Sequence, residues 1–167
     1  YRITKKAINF VFLLSLPLML YFMLFAKEGI FFLSGNAYAD AIVPMQIIMP
    51  TIVLIGLTGI MGIQMLVPLG KEKIVLYSEI AGAITDLVLN AILIPRIASA
   101  GAAIGTLVAE LVVWIVQFVF LRSEVIDAYR KIRYELIFLA LMGGTIASLW
   151  VRLLSLGTFF TLVVTAI

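Results

Sequence analysis

An all-α integral membrane fold with about six transmembrane helices is predicted by three observations. Hydrophobic residues make up 64% of the 167 residues and charged residues only 13%, a mix that no soluble core of this size could bury. The mean hydropathy is +1.21. Lysine and arginine sit only at the borders of long apolar stretches. At roughly 20 residues per spanning helix, the chain has room for about six helices and for no large extramembrane domain.

Segment A, residues 7–26 with Pro17 in its middle, is followed by Lys27-Glu28-Gly29. Residues 30–40, aromatic and polar by turns, are too short to span and are expected at the outer interface. Segment B, residues 41–67, is interrupted by Pro44 and Pro50 and ends at Pro68-Leu69-Gly70. Its prolines, with Gly56, Gly59 and Gly62 three residues apart, mark a helix that bends and packs closely. Segment C, residues 74–94, stops at Pro95-Arg96, and segment D covers residues 98–121. The chain is thus read as a four-helix region over residues 1–121, a basic cytoplasmic loop over 122–133, and two further helices, E and F, over 134–167, the last of them expected to be cut short.

Orientation follows from the loops. Arg2, Lys5, Lys6, Lys71, Lys73, Arg122, Arg130, Lys131 and Arg133 fall on one side, and Lys27, Arg96 and Arg152 on the other, nine against three. The majority side is cytoplasmic by the positive-inside rule, so Asn36 is external. The start at Tyr1 and the end in an apolar run suggest a piece of a longer protein.

Three carboxylates lie inside the apolar stretches: Glu79, Asp86 and Glu110. A carboxylate near the bilayer centre costs several kcal/mol and is rarely found without a partner, an aqueous cavity or a cargo. Glu79 and Asp86, seven residues apart, fall within about 20° of one helix face, with Asn90 one turn beyond. In segment D, Gly101, Gly105 and Ala109 are spaced by four, the small-residue pattern that lets helix backbones approach. Thr106, Glu110 and Gln117 form another stripe, expected to face a cavity. Glu79, Asp86, Asn90, Glu110 and Gln117 are therefore the candidates for transport or ion coupling. The plainer alternatives are a hydrogen bond from Glu110 to a neighbouring helix, and one between Asp86 and Asn90 or Thr85.

Enzymatic chemistry has little to work with. Without cysteine or histidine there is no thiolate, no zinc site of the usual kind and no imidazole relay. No nucleophile, base and orienter set appears, and no phosphate-cradling loop; Gly101-x-x-x-Gly105 follows no strand. No catalytic residue, metal site or cofactor is predicted beyond a coupling ion, proton or sodium. The net charge of +3 gathers into no nucleic-acid patch.

Four strings, taken in order, carry a resemblance: Ser34-Gly35-Asn36-Ala37-Tyr38 followed by Ala39, then Leu66-Val67-Pro68-Leu69-Gly70-Lys71-Glu72-Lys73, then Asn90-Ala91-Ile92-Leu93-Ile94-Pro95, and last Gly101-Ala102-Ala103-Ile104-Gly105-Thr106 leading to Glu110. Over about residues 11–121 the chain resembles the C-terminal half of Wzx-type polysaccharide flippases of the multidrug/oligosaccharidyl-lipid/polysaccharide exporter superfamily. It departs from them at Ala98, where such proteins often have glycine. The resemblance implies most of the second helical bundle of a two-bundle transporter. It also implies a lipid-linked oligosaccharide as cargo, a preceding N-terminal bundle and surrounding membrane lipid as partners, and a multi-pass location in a bacterial plasma membrane. The cationic partners of a diphosphate cargo are then expected in the preceding bundle, since every basic residue here lies at a helix end. The rival readings are a cation-coupled small-molecule or drug antiporter of the same superfamily and, from another class, a membrane-embedded polysaccharide polymerase or acyltransferase.

Overall fold

The computed structural model describes residues 2–129, together with Glu135, Phe138, Leu139 and 141–143. Segment F lies outside the described residues, as does most of segment E. All regular structure among the described residues is helical: α1 (Arg2–Leu24), α2 (Ala26–Ser34), a 3-10 turn (Asn36–Ala41), α3 (Ile42–Ile48), α4 (Thr51–Gly59), a π-helical segment (Ile60–Leu66) and α5 (Glu72–Tyr129).

Two of these helices are long and apolar enough to cross a membrane, over Lys6–Leu24 and Glu72–Ser123; a third span results if the bent pair Asn36–Ile48 and Thr51–Leu66 counts as one. The expectation of about six is corrected accordingly. Part of the difference lies in α5, whose largely apolar stretch of 52 residues, Glu72–Ser123, is one helix broken at Ile97 and Ala98. Contacts such as Gln117 to Ser78 show the chain folding back there, so α5 is a hairpin of two antiparallel arms, 72–96 and 99–129. Each arm, at 1.5 Å per residue, exceeds about 30 Å.

The breaks have local causes. Pro50 cannot donate a backbone hydrogen bond, and the 40° bend between α3 and α4 sits at Met49-Pro50. The π segment closes on Gly70, whose φ of +68° lets Lys71 N–H reach the Leu66 carbonyl and Gly70 N–H the Val67 carbonyl. Pro95, expected to end segment C, is carried inside α5, and the reversal comes two residues later. Ala98 supplies it with φ 46° and ψ −127°, a conformation that glycine reaches freely and alanine does not. Ala98→Gly is therefore expected to stabilise the hairpin by about 1 kcal/mol, read as a raised melting temperature in detergent. An unchanged or lowered value would mean that the reversal does not use this backbone.

At its other end α5 runs to Tyr129, through the first part of the stretch read as a loop at 122–133. No glycine or proline interrupts it there, and Leu121 and Val125 are fully buried, which holds the extra turns against the bundle. These two residues join Ile8, Leu57, Met61 and Leu66 in one apolar cluster. At the opposite end Gln46 Nε2 donates to the Met23 carbonyl at 3.0 Å, so α1 and the α3–α4 span are antiparallel. The crossings thus alternate. Lys6, Lys71, Lys73 and Arg122 are gathered near the apolar cluster, and Lys27 and Arg96 lie toward the far end.

Candidate functional site

Ser78, Asp86, Asn90, Thr106 and Gln117 meet along the seam between the two arms of α5. Ser78, Gly82, Asp86 and Asn90 recur every fourth residue on the first arm, and Gly101, Gly105, Ala109, Val113 and Gln117 every fourth on the second. Such i, i+4 ridges are the rows along which helices interlock. Running antiparallel, they meet Ser78 to Gln117, Gly82 to Val113 and Ala109, Asn90 to Gly105, and Leu93 to Gly101.

The closeness depends on missing side chains. A Cβ on Gly101 would lie 2.6 Å from the Leu93 carbonyl carbon and 2.7 Å from its oxygen. On Gly82 it would meet Val113 Cγ2 at 2.5 Å and the Ala109 carbonyl oxygen at 3.3 Å. At Gly105 the space is taken by Asn90 Oδ1, a buried atom with no conventional hydrogen bond, which sits against the glycine Cα where a weak C–H···O contact can form. Gly82 and Ser78 were not among the residues singled out from sequence. Their four-residue spacing to Asp86 is the signal that would have found them.

Asp86 is the polar centre of the seam. Its Oδ2 accepts from Asn90 Nδ2 at 3.0 Å and its Oδ1 from the Thr106 hydroxyl at 3.4 Å, while Thr85 turns away to donate to the Ala81 carbonyl at 2.8 Å. Gln117 is 1% exposed and donates to Ser78 Oγ at 3.1 Å. Its amide also lies over Gly62 of the π segment, whose Cβ would stand 3.4 Å from Gln117 Nε2.

The cavity stripe expected of Thr106, Glu110 and Gln117 is therefore divided. Thr106 and Gln117 bond across the seam, because a contact line that follows every fourth residue drifts about 40° per step around the helix and reaches both faces. Glu79 and Asp86 are divided too: Asp86 enters the seam, and Glu79, next to Ser78, is exposed. Glu110 is half-buried and, among the described residues, makes no hydrogen bond. It lies within electrostatic reach of Glu79 on the opposite arm. Two of the three carboxylates thus share one side of the hairpin, beside exposed Leu76, Ile80 and Leu87.

No protein-family profile, curated protein or solved structure matches the chain.

Of the remaining sequence candidates, Gly56 packs on α1, where a Cβ would meet Val11 Cγ1 at 2.6 Å, and Gly62 packs on Gln117 and Val75. Gly59 has nothing within 4 Å and departs from the expected packing role. No group of three or more acidic side chains is placed to hold a metal ion among the described residues.

Proposed function

We propose that the chain is most of the second bundle of a flippase that moves an undecaprenyl-diphosphate-linked oligosaccharide across a bacterial plasma membrane by alternating access. The observation that carries this reading is the Glu79–Glu110 pair, set within apolar spans with Glu79 exposed and Glu110 half-buried. Carboxylates so placed are not left to hydrocarbon; they face water, a partner bundle or a cargo. A cavity between this hairpin and a preceding bundle meets that requirement, and rocking of two bundles about it is the usual transporter mechanism. The order of the four sequence strings adds support. So does Ala98, which adopts a glycine-like backbone at the position where such flippases often carry glycine.

The same pair supports a second reading, a cation-coupled antiporter of small molecules, since two carboxylates within electrostatic reach of each other also suit a bound proton or sodium ion. No enzymatic role is proposed. The two transport readings differ in cargo. Full-length protein in proteoliposomes, given a lipid-linked oligosaccharide, is expected to expose the sugar to a lectin on the opposite side; exchange of small cations without sugar movement would favour the antiporter.

The cavity itself is testable by cysteine labelling, in a chain that has none of its own. Glu79→Cys and Glu110→Cys should react with a charged, membrane-impermeant thiol reagent, and the buried Gln117→Cys should not. Asn36→Cys, reactive from outside, and Lys73→Cys, reactive only after lysis, fix the sidedness. Protection of both 79 and 110 would remove the cavity.

A further inference from the structure

We propose that the end of the bundle formed by Ile8, Leu66 and Leu121 is a binding surface for acidic phospholipid headgroups. Three stretches far apart in sequence meet there in one buried cluster, and each brings cations to its rim. Lys6 lies two residues before Ile8, Lys71 and Lys73 follow Leu66 across the Gly70 turn, and Arg122 follows Leu121; all four are exposed. No ion pair engages any of them among the described residues. The one described acid among them is Glu72, and the sequence adds Glu124 on one flank and Arg2 and Lys5 on the other.

The rim is not only charged. Pro68 and Gly70 turn the chain so that Val67 and Leu69 stay exposed, at 45% and 53%, between the basic residues. A ring of cations around an apolar tip at the end of membrane-length helices matches a lipid surface, with phosphates at the level of the charges and acyl chains beside the tip. An acidic soluble partner would leave Val67 and Leu69 unused. Among the described residues the far end has no comparable set: Lys27 is held over the Phe31 ring at 5.7 Å, which leaves Arg96. The inference rests on the membrane-spanning character of the helices and not on the flippase reading.

The test is native mass spectrometry of the full-length protein in neutral detergent, offered phosphatidylglycerol and phosphatidylcholine with identical acyl chains. The wild type is expected to retain phosphatidylglycerol preferentially. The variant Lys71→Gln/Lys73→Gln/Arg122→Gln should weaken that retention roughly fivefold for each charge removed. Lys71→Arg/Lys73→Arg should keep it, and Lys27→Gln at the far end should leave it unchanged. Equal retention of the two lipids by the wild type overturns the proposal without reference to any variant, and so does an unchanged preference in the triple variant. Displacement of phosphatidylglycerol by an equal amount of undecaprenyl diphosphate would identify a cargo site in its place, and also overturns it.

Discussion

Gly101→Ala is expected to abolish the folded hairpin, although it adds a single methyl group. The new carbon would stand 2.6 Å from the Leu93 carbonyl carbon and 2.9 Å from the Ile94 nitrogen, and these are backbone atoms that no rotamer change can move aside. Overpacking of this kind typically costs about 1–3 kcal/mol and more where nothing can yield. In lipid the loss is not offset by a hydrophobic drive toward association, since helices there are held mainly by packing and interhelical hydrogen bonds. Gly105→Leu should act in the same direction, because its side chain would displace Asn90 from Asp86. Gly59→Ala is the counter-case: with nothing within 4 Å it should be tolerated, and helix propensity favours it by up to about 1 kcal/mol. Folded protein extracted from membranes, measured by fluorescence-detected gel filtration, separates these outcomes. Normal abundance of Gly105→Leu with lost transport would move that position from the seam to a cavity wall.

The second large effect concerns Glu110 and Asp86, which the fold places in different surroundings. Glu110→Gln keeps shape and hydrogen-bonding capacity but removes the charge and the titration. With no hydrogen bond at stake among the described residues, abundance should stay near normal. Ion-coupled transport should fall roughly fivefold or more, the size of a coupling free energy of about 1 kcal/mol or above. Asp86→Asn differs, because the carboxylate accepts from both Asn90 and Thr106 and an amide has only one oxygen to offer them. That substitution should lower stability by about 1 kcal/mol, whatever it does to transport. Proteoliposome transport and thermal melting, measured on both variants between about pH 6 and 8, check the two effects separately. If both variants transport normally across that range, neither carboxylate couples an ion, and Asp86 is there to hold the seam.

Much of this arrangement was legible in the residues. The helical class, the bends at Pro50 and Gly70 and the close approach at Gly101 and Gly105 follow from apolar run lengths, from proline and glycine chemistry and from four-residue spacing. What escaped was rotational. The seven-residue spacing of Glu79 and Asp86 reads as one face on an isolated helix, but an antiparallel partner meeting every fourth residue takes in Asp86 and leaves Glu79 outside. Gln117 shows the same limit: its place on a polar stripe suggested a cavity, whereas Ser78 on the other arm and Gly62 of the π segment make room to bury it. Run length alone also gave the end of α5 wrongly, since charged residues at 122–129 extend a helix without difficulty when Leu121 and Val125 anchor one side of it.

The wide turn at Ile60–Leu66 decides where the next element begins. A π-helical stretch bonds to the fifth residue along instead of the fourth, so it holds one more residue in each hydrogen-bonded ring than an α-helix. Removing one residue would turn everything that follows by about 100° and draw it back by about 1.5 Å. Leu66 would leave the buried cluster, and Gly62 would slide from beneath Gln117. The wide turn is thus a spacer, setting the phase in which α5 begins.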